Sequence, residues 1–375
     1  MTDRTAHPHL TRRTLLAGAA ALTAGLPGIP RAARAQTAPC SPGLAMPSAA
    51  RTLGTGSAAV TVSAVGLGCM GFSFNRSTFV ERKSALRTIA RAVDAGVTLF
   101  DTAESYGPWT NEELVGEALR PYAGRVTIAT KFGHTYRDGR MVPGVEDCAP
   151  ASIRRVCEAS LKRLGVETIG IFYQHRQDKN VPVEDVAGTV ADLIREGKVQ
   201  RFGLSMVDAD TVRRAHAVCP VTAVQSRYSM FSRECETSVF PVLEELGIGF
   251  VAYAPLAIGW LAGDLNEFTR FTADNRPRIS LFAPAALRAN GRVIAALQDF
   301  GRERGMTPAQ VALAWILAKR PWIVPIPGTT KEGHLLENQL AGDFPLTEAD
   351  MAELQTLVDA VPVEGLPDFM VRHPA

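Results

Sequence analysis

From Arg51 onward the chain alternates between two patterns of apolar and polar positions. Short runs dense in β-branched residues read as buried strands: "AVGLG" (64–68), "VTLF" (97–100), "RVTIATK" (125–131), "TIGIFYQH" (168–175), "VQRFGLS" (199–205), "VTAVQS" (221–226), "IGFVAYAP" (248–255) and "WIVPIPG" (322–328). Between them lie longer stretches with apolar residues every three or four positions, among them "ERKSALRTIARAVDAG" (81–96), "ASIRRVCEASLKRLG" (151–165), "VEDVAGTVADLIREGK" (183–198) and "PAQVALAWILAKR" (308–320). That spacing predicts amphipathic helices, and several end at glycine, a common helix terminator. Eight such alternations within about 290 residues predict an α/β fold of the closed (β/α)8 kind, the TIM barrel, over an open sheet. The opening "TLGTGSAAVTVSAV" predicts a hairpin covering the barrel bottom.

In a barrel of this kind the chemistry sits at the C-terminal ends of the strands. Asp101 follows the second predicted strand, Lys131 ends the third, His175 the fourth, Ser205 the fifth, and Gln225 the sixth. Singly, each has an ordinary structural explanation; five at matching strand ends point to a site. A tyrosine, Tyr106, stands five residues after Asp101 in "FDTAESYGPWTNEELVGEAL". A phenol titrates near 10, too high for ready proton exchange at neutral pH. A neighbouring ammonium lowers that value, and an aspartate keeps the ammonium charged and oriented. Asp101, Tyr106, Lys131 and His175 together therefore suit protonation of a carbonyl oxygen while a hydride reaches its carbon.

The segments "GLGCMGFS", "DTAESYGPWTNEELVGEAL", "ATKFG", "YQHRQD", "REGKVQRFGLS", "AVQSRYSMFSR", "AYAPL" and "IVPIPGTTKEGHLLEN" together resemble the aldo-keto reductases, above all the bacterial members with "YQHR" and "PIPGT". The resemblance runs from Arg51 to about Asp359 and implies a nicotinamide dinucleotide bound to the barrel without a Rossmann domain. It implies NADP(H), with NAD(H) as the other option, and an aldehyde or ketone as the small carbonyl substrate. By matching motif, Tyr106 is the general acid, Asp101 and Lys131 its tuning pair, and His175 the orienting residue. Ser205 and Gln225 match residues that hold the nicotinamide carboxamide, Tyr228 an aromatic stacked on that ring, and Pro255 and Leu256 the "AYAPL" part of the cofactor site. Gly328, Thr329, Thr330 and Lys331 match the cradle of the 2′-phosphate; Glu337 and Asn338 match the adenine contacts. The chain departs from the pattern at Met206, at Ala257-Ile258-Gly259 where relatives carry "GRG", at Lys331 where many carry Arg, and at His334. Phe72, Phe74, Trp109, Phe132 and Trp260 are candidates for lining an apolar substrate pocket.

Composition changes the picture mainly at the N-terminus. With 46% hydrophobic and 21% charged residues among 375, the chain suits one large globular domain or two ordinary ones. Residues 1–35 hold five arginines against one aspartate, so their removal takes the net charge from +2 to −2. A mildly acidic body argues against nucleic acid or anionic membrane as the main partner. The polar start, Arg12-Arg13, the run Leu15–Pro30 and Ala33-Arg34-Ala35 have the order of an export signal. It resembles a twin-arginine signal, which implies the twin-arginine machinery as a partner, cleavage near Ala35, a periplasmic or secreted product and no stable membrane anchor afterwards. The expected organisation is thus signal 1–35, linker 36–50 and barrel 51–375. Six cysteines show neither C-x-x-C nor metal-ligand spacing. Three further readings compete: a barrel aldolase forming a Schiff base on Lys131, a nonenzymatic NADP(H)-binding sensor or regulatory subunit, and a secreted structural protein with a relic site.

Overall fold

The computed structural model describes residues 50–74, 80–272 and 274–365. The export signal and all of the linker but Ala50 lie outside the described residues. The strands are β1 (Ala50–Leu53), β2 (Val60–Ser63), β3 (Leu67–Gly68), β4 (Leu99–Asp101), β5 (Thr127–Phe132), β6 (His134–Arg137), β7 (Arg140–Glu146), β8 (Ile171–Gln174), β9 (Phe202–Ser205), β10 (Val221–Arg227), β11 (Gly249–Tyr253) and β12 (Ile323–Pro325). Eight of them form one parallel sheet, in the order β3, β4, β5, β8, β9, β10, β11, β12. Each lies where an apolar run predicts it.

Backbone bonds close the sheet into a barrel: Gly66 N–H donates to Pro325 O (2.9 Å) and Gly68 N–H to Pro327 O (3.3 Å). The seam leaves no room for a side chain at Gly68, whose Cβ would lie 2.8 Å from the Ile326 carbonyl. Helices Arg82–Asp94, Pro150–Leu164 and Val183–Arg195 lie on the outside. Their apolar stripes, such as Val186, Val190 and Leu193, are fully buried against the sheet, so truncating Leu193 to alanine should cost about 2–5 kcal/mol.

Period-2 alternation separates two cores. Outward positions such as Phe100, Ile128, Phe172, Phe202, Val224 and Phe250 join the helices. Inward positions Leu99, Ala129, Ile171, Tyr173, Ala223, Val251 and Val324 form a second cluster that fills the lumen. Tyr173 takes the space opposite Gly203, where an added Cβ would lie 2.3 Å from its ring.

Below, β1 and β2 pair as the expected antiparallel hairpin. Leu53, Val60 and Val62 join the lumen cluster, Thr222 Oγ1 donates to Ala58 O (2.8 Å) and Arg201 Nε to Ala59 O (2.8 Å). The floor is therefore closed among the described residues.

Two features were not expected. A second hairpin, β6–β7, rises from the C-terminal end of β5 and turns at Asp138 (φ 51°) and Gly139 (φ 73°). After β11 the chain crosses the same end of the barrel in short 3-10 turns, Ala257–Ala262, Arg276–Arg278 and Ser280–Phe282. No helix among the described residues is long and apolar enough to cross a membrane.

Candidate active site

Inward parity carries up the strands to their C-terminal ends. Asp101 follows Leu99 on β4, Lys131 follows Ala129 on β5, Ser205 follows Gly203 on β9, Gln225 follows Ala223 on β10, and Tyr253 follows Val251 on β11. Each stands two residues beyond a lumen position, so polar groups replace apolar ones in the layer above the lumen core.

Lys131 Nζ is the hub of this layer. It donates to Asp101 Oδ1 (2.5 Å), to Thr102 O (2.8 Å) and to the Tyr106 hydroxyl (3.3 Å), and its side chain has no solvent exposure. Gln225 Nε2 donates to the other Asp101 oxygen at 2.7 Å. The His175 ring meets the Tyr106 ring edge-on at 5.9 Å between centroids, and its Nδ1 lies 3.5 Å from Ser105 Oγ. The four residues expected to act together are thus adjacent.

Tyr106 reaches this point on a loop that Asn111 pins. The fully buried Asn111 side chain accepts from Thr102 Oγ1 (2.7 Å) and donates to Cys69 O (3.0 Å) and Ser73 Oγ (2.7 Å). Trp109 N–H donates back to Glu104 O at 2.7 Å. Trp109 (φ 68°), Met206 (φ 57°), Ala254 (φ 51°), Ala257 (φ 46°) and Ile258 (φ 59°) are non-glycine residues in left-handed conformations, and all follow strands at this end. Such strain costs on the order of 1–3 kcal/mol per residue and gathers at functional sites.

Burial and charge set the protonation states. Burial pushes the Tyr106 phenol above its ordinary value, with Lys131 pulling it back down. A net lowering was the expectation; withdrawal from water outweighs the ammonium. Burial disfavours the charged form of Lys131, yet Asp101 and Tyr106 more than offset this and its pKa is raised. A cation with its donors engaged by Asp101, Thr102 and Tyr106 has no lone pair for a Schiff base, which argues against the aldolase. His175 is held well below its ordinary value by burial, then by Lys131, His134 and Arg176, so it is neutral.

Tyr228 is a correction. Its ring is fully buried and packs on Phe240, Phe250 and Trp315, and its hydroxyl donates to Glu236 at 2.6 Å. It has the parity of Val224 and Ser226, which turns it away from the lumen, and it has no free face for stacking. The aromatic in the polar layer is the part-buried Tyr253, whose hydroxyl donates to Met206 Sδ (3.3 Å). Inward parity with Val251 was the sequence signal for it.

Among the pocket candidates, Phe74 stacks on Tyr106 (5.8 Å) and Trp109 contacts Tyr136 (5.1 Å). Phe72, Phe132 and Trp260 are instead core residues, at most 5% exposed. His134, also missed, meets the His175 ring at 4.7 Å. The Asp-Gly turn between "HTYR" and "RMVPGVE" was the available signal for its hairpin.

Beyond β12, Gly328 and Lys331 are exposed and Thr329 and Thr330 part-exposed, just ahead of helix Glu332–Gln339. Thr329 Oγ1 accepts from Lys331 N–H at 3.1 Å, and the Lys331 side chain has no ion pair among the described residues. Pro255 is buried and Leu256 part-buried after β11. Asn338 is buried, and Glu337 Oε1 is occupied by Thr307 Oγ1 at 2.5 Å. Although residues 257–259 carry no arginine, Arg276 reaches them: Nη1 donates to Ile258 O (3.4 Å), and Asp274 (2.5 Å) and the Phe271 ring (4.7 Å) hold the guanidinium.

A closed parallel barrel with a lysine-centred proton site above its lumen defines a class of barrel oxidoreductase. The model of the Aldo/keto reductase family matches residues 64–359, and the chain belongs to that family. It is similar to the solved structure of a glycerol dehydrogenase from Gluconobacter oxydans, with 26% identity over 87% of this chain and 97% of that one and a TM-score of 0.72. A thermostable aldo-keto reductase solved with the inhibitor epalrestat is 25% identical over 82% and 99%, with a TM-score of 0.67. An aldo/keto reductase from Klebsiella pneumoniae, in complex with NADP and acetate, is 25% identical over 80% and 92%, with a TM-score of 0.62.

The residues present fit a nicotinamide dinucleotide at both ends. Ser205, Gln225 and the Tyr253 ring stand together beside the proton site, and hydroxyls and an unpaired ammonium precede a helix N-terminus at 328–331. Glu337 fits less well, since its carboxylate is engaged by Thr307.

Proposed function

We propose that this chain reduces an aldehyde or ketone to an alcohol with NADP(H), Tyr106 acting as the general acid. The observation that carries the reading is the unbroken contact chain from Asp101 through Lys131 to the Tyr106 hydroxyl, with a neutral His175 alongside. Bound nicotinamide supplies the hydride. The carbonyl oxygen accepts hydrogen bonds from the Tyr106 hydroxyl and a His175 ring N–H. As negative charge builds on that oxygen, the phenol proton moves to it, and the Lys131 ammonium stabilises the phenolate left behind. Asp101 keeps that ammonium charged. Tyr106 is protonated at neutral pH, the state an acid needs; burial makes it a weaker donor than a free phenol, and the Lys131 ammonium works against that rise.

For the cofactor, Ser205 and Gln225 hold the carboxamide, Tyr253 takes the stacking role expected of Tyr228, and Pro255 and Leu256 complete that wall. Gly328, Thr329, Thr330 and Lys331 take the 2′-phosphate, with Asn338 near the adenine. NADP in the Klebsiella pneumoniae structure supports this choice. The test is NADPH consumption by the purified protein over a panel of aldehydes and ketones. Tight NADPH binding without turnover of any carbonyl would favour the sensor reading.

Residues 1–35 direct export by the twin-arginine route in the same proposal, with cleavage near Ala35 and a periplasmic or secreted product. Support comes from the order of Arg12-Arg13, an apolar run and Ala33-Arg34-Ala35. Changing Arg12-Arg13 to Lys-Lys should retain the protein in the cytoplasm; unchanged export would count against the route.

A further inference from the structure

His134 stands next to the proton site and has no part in the mechanism above. The β6–β7 hairpin carries it, its ring meets the His175 ring edge-on at 4.7 Å, and it is part-exposed. Among the described residues no hydrogen bond reaches its ring nitrogens, while its backbone N–H donates to Glu104 Oε1 at 3.5 Å. Two aromatic pairs belong to the same end of the barrel: Trp109 packs on Tyr136 of the same hairpin, and Phe74 stacks on Tyr106. Burial, with Arg176 adding, lowers the His134 pKa to about 4, so the imidazole is neutral, with one N–H to give and one lone pair to accept.

A carbonyl oxygen between Tyr106 and His175 directs the rest of its substrate away from the buried Lys131 and from the Ser205–Gln225–Tyr253 side assigned to the cofactor. That leaves the side lined by Phe74, Trp109, Tyr136 and His134. In this wall the His134 ring offers a neutral hydrogen-bonding pair one imidazole away from the carbonyl position. We propose that His134 is a specificity-determining residue that recognises a hydroxyl on the carbon next to the substrate carbonyl, making hydroxylated carbonyls the preferred substrate class. The inference rests on the carbonyl-reductase reading of the same site.

The test compares the parent with His134→Phe, which keeps a ring against His175 and removes both nitrogens. The reading is the ratio of kcat/KM for 2-hydroxypropanal over propanal, in which any general loss cancels. The parent should prefer the hydroxylated aldehyde by about tenfold, the worth of one neutral hydrogen bond, and the variant should bring the ratio near one. An unchanged ratio, or an equal loss on both aldehydes, would overturn the proposal and leave His134 as packing for His175. If the parent turns over neither aldehyde, the reductase reading is judged separately on the carbonyl panel, and binding of 1,2-propanediol against 1-propanol to the NADPH-loaded protein decides. Diol preference in the parent that His134→Phe abolishes upholds the proposal; no preference overturns it.

Discussion

Lys131 and Asp101 meet across neighbouring strands with 2.5 Å between Nζ and Oδ1, where the lysine side chain is 0% exposed and the aspartate 5%. Neither charge has water to fall back on. Asp101→Asn should therefore destabilise the barrel by about 3–5 kcal/mol, because it leaves the ammonium buried without its counter-charge. Urea unfolding measures the loss. Asp101→Asn combined with Lys131→Met should recover much of it, and a double variant as unstable as the single one would show that the charge is not the cause.

Tyr106→Phe removes only the proton donor. Carbonyl reduction should fall by about 10²–10⁴-fold while the Kd for NADPH stays within about twofold, since the hydroxyl makes no cofactor contact in this reading. Steady-state kinetics and NADPH fluorescence titration check the two halves. Full activity in the variant would remove Tyr106 from the mechanism.

At the other end of the site, Lys331 is exposed and unpaired ahead of helix Glu332–Gln339. A lysine attracts phosphate as a point charge without the arginine fork, so preference for NADPH over NADH should be moderate. Lys331→Ala should weaken NADPH binding by about 1.5–3 kcal/mol and leave NADH almost untouched. Equal weakening of both, or of neither, would direct attention to His334, whose Nε2 lies 4.0 Å from Asp264.

Glu104 is 2% exposed, and its carboxyl is pushed up to about 8 by burial, with neighbouring Glu112 adding. An unfolded glutamate ionises near its ordinary value of about 4.3. Between the two values the unfolded chain has lost a proton that the folded chain keeps, so this stability is present in acid and lost as pH rises toward 8. Glu104→Gln carries no such loss. The variant should match the parent near pH 5 and exceed it at pH 8 by about 2–4 kcal/mol in urea unfolding. A difference that does not change with pH would contradict the assignment.

Residues in regular strands were the most legible. β-branched runs located all eight barrel strands, and polar residues at their ends located Asp101, Lys131, His175, Ser205 and Gln225. Irregular segments were not, because their placement depends on contacts with distant parts of the chain. β7 is a mostly exposed strand containing Pro143, with no apolar alternation, so only the Asp138-Gly139 turn marked the hairpin that brings His134 to His175. Tyr228 and Tyr253 look equivalent as motif residues; strand parity distinguishes them, and it has to be counted from residues known to face the lumen. The balance that raises the Tyr106 pKa depends on burial, which spacing does not report.

The hairpin under the barrel and the Tyr173 ring packed into the lumen leave the described structure with one mouth. If the dinucleotide occupies the Ser205–Gln225–Tyr253 side and a carbonyl settles between it and the aromatic wall, the carbonyl blocks the dinucleotide's way out. Such a site works as a stack, last in and first out: alcohol leaves before spent dinucleotide, and the slowest step per turnover can be an exchange at the mouth, with no bond broken at all.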